Sequence, residues 1–162
     1  MMGSETGKDG MDMDYELLCA QVEGLAKAEK WYVSLMANAA ALLYHSLEDL
    51  NWAGFYFIRG DELVLGPFQG KLACVRIPLG KGVCSAAARK DRTQRVPDVH
   101  AFPGHIACDS ASNSEIVVPI HAGGRVAAVL DIDSPTLDRF SEADQAGLEA
   151  FARVIEENMI LD

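Results

Sequence analysis

Apolar positions spaced three and four residues apart predict helices at both ends of the chain. From about Tyr15 the apolar residues recur with the 3.6-residue period of an amphipathic helix, and a second pattern of this kind covers roughly residues 31–47. Near the other end, Ser141 is followed three residues later by an acid, which is the spacing of a capping box. The last helix is therefore predicted to begin at Ser141 and to run to about Met159.

Between these helices the pattern changes to the two-residue period of strands. Residues 52–58 are rich in aromatic side chains, and a polar turn at 59–62 leads into a return strand over 63–68. Alternation places Trp52 and Tyr56 on the same face of the first strand. One face of this hairpin can pack on helices, so the other face can line a pocket.

The middle of the chain is divided into short elements. A third strand is predicted at 74–77, a short helix of small residues at 84–89 and a further short strand at 94–96. An irregular segment follows over 97–113. Structureless segments of this length in a compact domain are usually functional or disordered, and the presence of Cys108 favours a functional one.

A second hairpin is predicted from residues 115–121 and 125–133. Its second strand is almost wholly apolar but ends in Asp131 and Asp133, whose i, i+2 spacing directs both side chains to one face. Glu115 begins the neighbouring strand, so three carboxylates are expected at one end of the hairpin. The alternative is that Asp133 merely begins a turn and Asp131 lies at a sheet edge.

This order of elements predicts an α+β domain with a mostly antiparallel sheet. It would cover residues 14–162 and follow a disordered tail at 1–13. The sequence has 162 residues with a formal net charge of −10, which argues against the clustered Lys and Arg that nucleic acids or anionic membranes require. No secretory signal and no transmembrane run is visible, so a cytoplasmic location is expected.

The four cysteines are Cys19, Cys74, Cys84 and Cys108. Cytoplasmic disulfides are usually transient and catalytic or redox-sensing, and the spacings do not fit a zinc site, so no metal is expected. Cys19 lies on the first helix, where a structural thiol is expected. Cys84 begins the short helix, and a thiol at a helix N-terminus is expected to have a lowered pKa.

Thiols beside carboxylates that hold a proton are suited to displacement at an electrophilic sulfur or carbon. Further thiols within reach would regenerate the nucleophile by disulfide exchange. From the residues alone, thiol peroxidase and sulfoxide reductase chemistry both remain open.

One long segment, residues 104–119 (GHIACDSASNSEIVVP), resembles the signature of the GAF-domain free methionine-(R)-sulfoxide reductases. The similarity continues through residues 51–56, 66–70, 80–84, 96–99 and 130–134. The resemblance implies a single GAF domain with an antiparallel sheet of about six strands and helices on both sides, usually a homodimer. A non-catalytic GAF sensor and a purely structural domain are the competing classes, and neither needs three thiols beside one sheet.

The resemblance also implies an activity, which is reduction of free L-methionine (R)-S-oxide to L-methionine. No cofactor would be bound, and thioredoxin would serve as the external reductant. Cys108 would be the nucleophile that becomes a sulfenic acid, and Cys74 would be the main resolving thiol. Cys84 would be the third family cysteine, able to form an alternative disulfide.

The resemblance further implies a set of substrate-binding residues. The pocket carboxylates would be Glu115, Asp131 and Asp133, the methylsulfinyl group would pack on Trp52 and Tyr56, and the substrate carboxylate would meet backbone amides around Ile106, Ala107 and Asp109. His105 could be read as a base that activates Cys108 or as a structural histidine.

Overall fold

The computed structural model describes residues 13–105 and 111–162. The predicted tail therefore lies almost wholly outside the described residues, as do Cys108 and the predicted carboxylate-binding residues Ile106, Ala107 and Asp109. The helices are α1 (Tyr15–Ala28), α2 (Tyr32–Ser46), α3 (Gly82–Lys90) and α4 (Glu142–Asn158). The strands are β1 (Trp52–Arg59), β2 (Glu62–Gly70), β3 (Arg76–Pro78), β4 (Gln94–Val96), β5 (Ser114–Ala122) and β6 (Arg125–Ser134).

The six strands form one antiparallel sheet in the order β3-β2-β1-β6-β5-β4. The two predicted hairpins lie side by side, because β1 of the first pairs with β6 of the second. The predicted α+β fold, with about six strands and helices on both sides, is confirmed. Within the described ranges, every helix is too short or too polar to serve as a membrane span.

Alternation along the central strands gives the sheet two apolar faces with different neighbours. Ala53 and Phe55 of β1 belong to a large core with α1, α2 and α4. Trp52 and Tyr56 point to the opposite face and belong to a smaller core with α3. The prediction that one face of the hairpin packs on helices while the other can line a pocket is confirmed.

Two of the predicted elements start two residues away from their positions in the structure. The third strand, predicted at 74–77, is Arg76–Pro78, and the carbonyl oxygen of Cys74 instead accepts a hydrogen bond from the Tyr56 hydroxyl at 2.9 Å. The short helix begins at Gly82 rather than Cys84, so Cys84 is the third residue of the helix and not its first. Both shifts involve contacts with other elements, which local sequence patterns do not report.

The capping box at the start of α4 is confirmed. The Ser141 hydroxyl accepts from the backbone N–H of Asp144 at 3.1 Å, and the Asp144 carboxylate accepts from the backbone N–H of Ser141 at 2.8 Å. The same carboxylate accepts from the Tyr15 hydroxyl at 2.7 Å. One side chain therefore both starts α4 and ties it to α1.

His121 links three elements on the far side of the second hairpin. It lies on β5, its Nδ1 is 2.8 Å from a carboxylate oxygen of Glu156 on α4, and its Nε2 is 2.7 Å from Asp91, the residue after α3. The hydrogen bond to Glu156 raises the pKa of His121 most, burial opposes the increase, and Asp91 adds to it. Folding therefore favours the imidazolium form.

Replacing His121 by glutamine is expected to destabilise the protein by about 1 kcal/mol near pH 6, since the ring is partly exposed and solvent screens both ion pairs. A raised native pKa means that this stabilisation is complete below the unfolded value of about 6.5 and is lost as the pH rises through the native pKa. Urea unfolding of both proteins at pH 6 and pH 9 measures the difference. His45→Gln, at an exposed position in the last turn of α2, is the matched control. A His121→Gln penalty that is equal at both pH values would contradict the prediction.

Candidate active site

A cavity opens on the smaller core face of the sheet, between the strands, the start of α3 and the loops beside them. Six of the sequence-predicted site residues line it: Trp52, Tyr56, Cys84, Glu115, Asp131 and Asp133. The remaining wall is formed by Leu72, Ala73, Ile77, Lys81, Gly82, His105 and Ser112. The cavity thus joins an aromatic wall to a group of acids, as the strand pattern predicts.

The aromatic wall is a stack of rings centred on Trp52. Its indole is 5.2 Å from the ring of Phe68 and 5.8 Å from the ring of Tyr56, with interplanar angles of 14° and 24°. Two glycines leave room for the indole, because a Cβ at either Gly54 or Gly70 would lie 2.7 Å from one of its ring carbons. The side chains are therefore held flat by their neighbours, and the stack offers a rigid apolar surface.

The three acids come together through strand register. Glu115 of β5 lies directly opposite Asp133 of β6, and Asp131 follows two residues along β6 on the same face. Because β6 pairs with both β1 and β5, Asp131 does not lie at a sheet edge. Glu115 and Asp131 are only 7% and 6% exposed. The alternative that Asp131 lies at a sheet edge is therefore wrong.

Burial and mutual repulsion keep a proton in this group of acids. The pKa of Glu115 is raised well above its ordinary value, first by burial and then by the charges of Asp131 and Asp133. Burial also raises the pKa of Asp131, although hydrogen bonds from Glu115 and other neighbours oppose the increase. Burial and the two acidic neighbours therefore favour the protonated form of Glu115, which is suited to donate to Asp131 and Asp133.

Asp131 has one oxygen that these contacts do not satisfy. Its Oδ1 is buried and has no hydrogen-bond partner among the residues that the structure describes. A buried carboxylate oxygen without a donor is costly, so the arrangement is suited to a ligand that brings a positive charge or a strong donor.

Cys84 belongs to the acid group rather than to a reactive helix terminus. Its Sγ is 4.0 Å from Oε2 of Glu115. Burial raises the pKa of this thiol well above its ordinary value, and Asp131 and Glu115 raise it further. The expectation of a lowered pKa is wrong, because a dipole worth about 1 kcal/mol is outweighed by desolvation and by several negative neighbours.

The three cysteines that the structure describes differ in redox state. Cys74 is disulfide-bonded, whereas Cys19 and Cys84 are free thiols. The backbone of Cys74 is held at the cavity by the Tyr56 hydroxyl. Burial, and secondarily the charge of Asp131, raises the pKa of that hydroxyl, so it stays protonated as a donor.

Three polar residues of the lining, Lys81, His105 and Ser112, were not predicted as ligand-binding residues. Lys81 precedes α3 and is exposed at the cavity. The glycine on either side of it was the feature of the sequence that indicated a loop passing close to another group. His105 was left open between a base and a structural role, and it lines the cavity with its ring 6.1 Å from that of His100. Burial, with His100 second, lowers the pKa of His105, so it is a neutral donor or acceptor at pH 7.

A family model described as the GAF domain matches residues 17–159, and the chain is a GAF-domain protein.

Comparison with known proteins narrows this class. The chain is 50% identical over 142 residues to the free methionine-R-sulfoxide reductase of Escherichia coli, covering 88% of this chain and 86% of that protein. A solved structure of free methionine-R-sulfoxide reductase from Neisseria meningitidis, in complex with its substrate, is 43% identical with a TM-score of 0.87, covering 96% of this chain and 93% of that one. The substrate complex of fRMsr from Staphylococcus aureus is 48% identical with a TM-score of 0.87, covering 92% and 97%. The chain belongs to the free methionine-R-sulfoxide reductases, a family of oxidoreductases, so the resemblance found in the sequence is confirmed.

Proposed function

We propose that this protein reduces free L-methionine (R)-S-oxide to L-methionine with its own thiols. The observation that carries the proposal is the pairing, within one cavity, of an unpartnered Asp131 oxygen with the flat ring of Trp52. Free methionine sulfoxide has a cationic ammonium group at one end and an apolar methylsulfinyl group at the other. The two solved relatives with bound substrate support the same assignment.

The ammonium group is assigned to the two aspartates. Asp131 and Asp133 would accept its N–H donors, while Glu115 stays protonated and lowers the repulsion that three ionised acids would suffer. The methylsulfinyl group would rest against Trp52 and Tyr56. Backbone amides of residues 106–109, which lie outside the described residues, would hold the substrate carboxylate.

The chemical step is a two-electron transfer from a thiolate to the sulfoxide. Cys108 attacks the sulfinyl sulfur while Glu115 gives its proton to the sulfinyl oxygen. The oxygen then moves from the substrate sulfur to the Cys108 sulfur while the transient bond between the two sulfurs breaks. Methionine leaves with the electron pair, and Cys108 becomes a sulfenic acid. We assign the proton to Glu115 because burial and two acidic neighbours favour its neutral form.

Resolution is assigned to Cys74. Its thiol condenses with the sulfenic acid, forming a disulfide and releasing water. The disulfide bond at Cys74 supports this assignment, because two of the other three cysteines, Cys19 and Cys84, are free. Cys84 would be a secondary thiol able to form an alternative disulfide, and its raised pKa makes it a poor first nucleophile.

An external dithiol would restore the enzyme, and we propose thioredoxin for that role. The cycle needs no bound cofactor, and we place it in the cytoplasm, where thioredoxin keeps thiols reduced. A homodimer is the proposed assembly.

A thiol count tests the proposed function. Fully reduced protein, which has four thiols, is mixed with one equivalent of free methionine (R)-sulfoxide in the absence of reductant and then denatured. We expect two thiols to be lost for each methionine formed, since two thiols and one sulfoxide yield one disulfide, one methionine and one water. Thiols that remain unchanged, or methionine formed without thiol loss, would refute the mechanism.

A further inference from the structure

The acid group and Cys84 present three metal-binding atoms at one point in the cavity. One ligand atom each from Cys84, Glu115 and Asp131 lies within 4.8 Å of the other two, and all three residues are buried. The Cys84 Sγ and Glu115 Oε2 are 4.0 Å apart. The three side chains come from α3, β5 and β6, so the arrangement depends on the tertiary fold and not on a local sequence motif.

The unpartnered oxygen of Asp131 is a second, independent observation at the same point. Asp131 is 6% exposed, it lines the cavity, and its Oδ1 has no hydrogen-bond partner in the described part of the chain. Hydrogen bonding inside the acid group therefore leaves one acceptor directed at a ligand. A cation would satisfy it.

We propose that this point is also a binding site for a divalent cation with affinity for thiolate, of the Zn²⁺ class, held by Cys84, Glu115 and Asp131. Zinc bonds of about 2.3 Å to sulfur and 2.1 Å to oxygen in a tetrahedron place such ligand atoms roughly 3.6 Å apart. The ligand atoms need to approach one another by only a few tenths of an ångström to about 1 Å. Three protein ligands leave the fourth position open, as in sites that exchange ligands with solvent.

The donor set distinguishes between cations. Mg²⁺ and Ca²⁺ prefer oxygen ligands alone and take six or more of them. A sulfur ligand with two carboxylate oxygens favours the softer ions, of which Zn²⁺ is the common one and Cd²⁺ a close analogue. On binding, the Cys84 thiol and the protonated acid release their protons to solvent, and no electron is transferred.

The site has a consequence for activity that rests on the proposed function. The cation would occupy the position assigned to the substrate ammonium group, since both would neutralise Asp131. Bound Zn²⁺ would therefore inhibit reduction of methionine sulfoxide by direct competition. The metal site itself stands on the contacts above and does not depend on that assignment.

Direct titration of the protein with Zn²⁺ tests the metal site. The Cys19→Ser protein, oxidised so that Cys74 remains in its disulfide, keeps Cys84 as the free thiol, and a chromogenic chelator reports the affinity. We expect one equivalent of Zn²⁺ to bind, with at least a tenfold loss of affinity after Cys84→Ser or Asp131→Asn and little binding of Mg²⁺. Equal zinc affinity with and without Cys84 would overturn the site.

Two further measurements keep this result interpretable. Because Zn²⁺ would join α3 to β5 and β6, it should raise the unfolding temperature of the protein that has Cys84 and leave that of the Cys84→Ser protein unchanged. Free L-methionine should weaken zinc binding, whereas N-acetylmethionine, which lacks the ammonium group, should not. Zinc binding that depends on Cys84 but is insensitive to methionine would support the metal site. It would overturn the proposal that Zn²⁺ and the substrate ammonium group occupy the same position, and the error would then lie in the proposed ammonium contact.

Discussion

Replacement of Cys108 by serine is expected to reduce turnover of free methionine (R)-sulfoxide by about 10⁴-fold or more. A serine hydroxyl is a far weaker nucleophile than a thiolate. More fundamentally, an alcohol cannot take the oxygen from the sulfoxide and donate two electrons to its sulfur. The variant is therefore expected to form no methionine even in a single turnover. The measurement mixes the sulfoxide with an excess of protein, quenches the reaction and determines the methionine formed.

The other cysteines of this chain supply controls for that experiment. Cys74→Ser should form one methionine per chain in a single burst and then stop, because the sulfenic acid on Cys108 lacks its resolving thiol. Cys19→Ser should turn over like the unmodified protein, since Cys19 is a partly buried residue of α1, on the opposite side of the sheet from the cavity. If Cys108→Ser still produced a burst, the nucleophile would have to be another thiol. Sustained turnover by Cys74→Ser would contradict its assignment as the resolving residue.

The strand pattern alone was enough to predict the two parts of the cavity that lie on the sheet. The i, i+4 spacing of Trp52 and Tyr56 puts both rings on one face, and the i, i+2 spacing of Asp131 and Asp133 does the same for the acids. The prediction that Glu115 joins these acids required only that residues 115–133 form a hairpin, and the glycines between the two strands indicate its turn. Short-range rules suffice here because strand register is itself a short-range property of a hairpin.

The parts that depend on the path of α3 could not be predicted in the same way. Cys84 and Glu115 are 31 residues apart in sequence, and no local pattern indicates that the thiol packs onto the acids. A helix terminus alone predicts a lowered pKa for Cys84, whereas burial and the nearby acids raise it. Lys81 and His105 reach the cavity from loops, whose course is set by the elements that they connect rather than by their own periodicity.

The electrostatics of the cavity explain how three acids can be kept in a mostly apolar site. Burial and two acidic neighbours favour the protonated form of Glu115, which removes one charge, and Oδ1 of Asp131, which has no hydrogen-bond partner among the described residues, leaves one acceptor for a cation. The same group thus offers a proton at one position and a negative charge at another. Reduction of a zwitterionic sulfoxide requires both: an acid for the departing oxygen and a counter-ion for the ammonium group.

Blocking the α-amino group of the substrate is accordingly expected to lower kcat/KM by roughly 10⁴-fold. N-Acetylmethionine (R)-sulfoxide keeps the reacting sulfur and the apolar side chain but has no positive charge. It would bring no positive charge to the buried Oδ1 of Asp131, and a site built around such a contact rejects the analogue that lacks it. A methionine sulfoxide within a peptide also lacks the free ammonium group, so oxidised proteins are expected to be very poor substrates.

Steady-state rates on the free and N-acetylated (R)-sulfoxides measure this selectivity, and Asp131→Asn supplies the matched variant. Asparagine has nearly the same shape as aspartate but no charge, so the variant should lose activity on the free amino acid while its activity on the acetylated compound changes little. The ratio of the two kcat/KM values would then fall toward one. A native protein that reduces both compounds at rates within tenfold would contradict the assignment of the acids to the ammonium group. Because Cys108 attacks the same sulfur in both compounds, that outcome would leave the nucleophile untouched and would separate the binding half of the proposal from its chemical half.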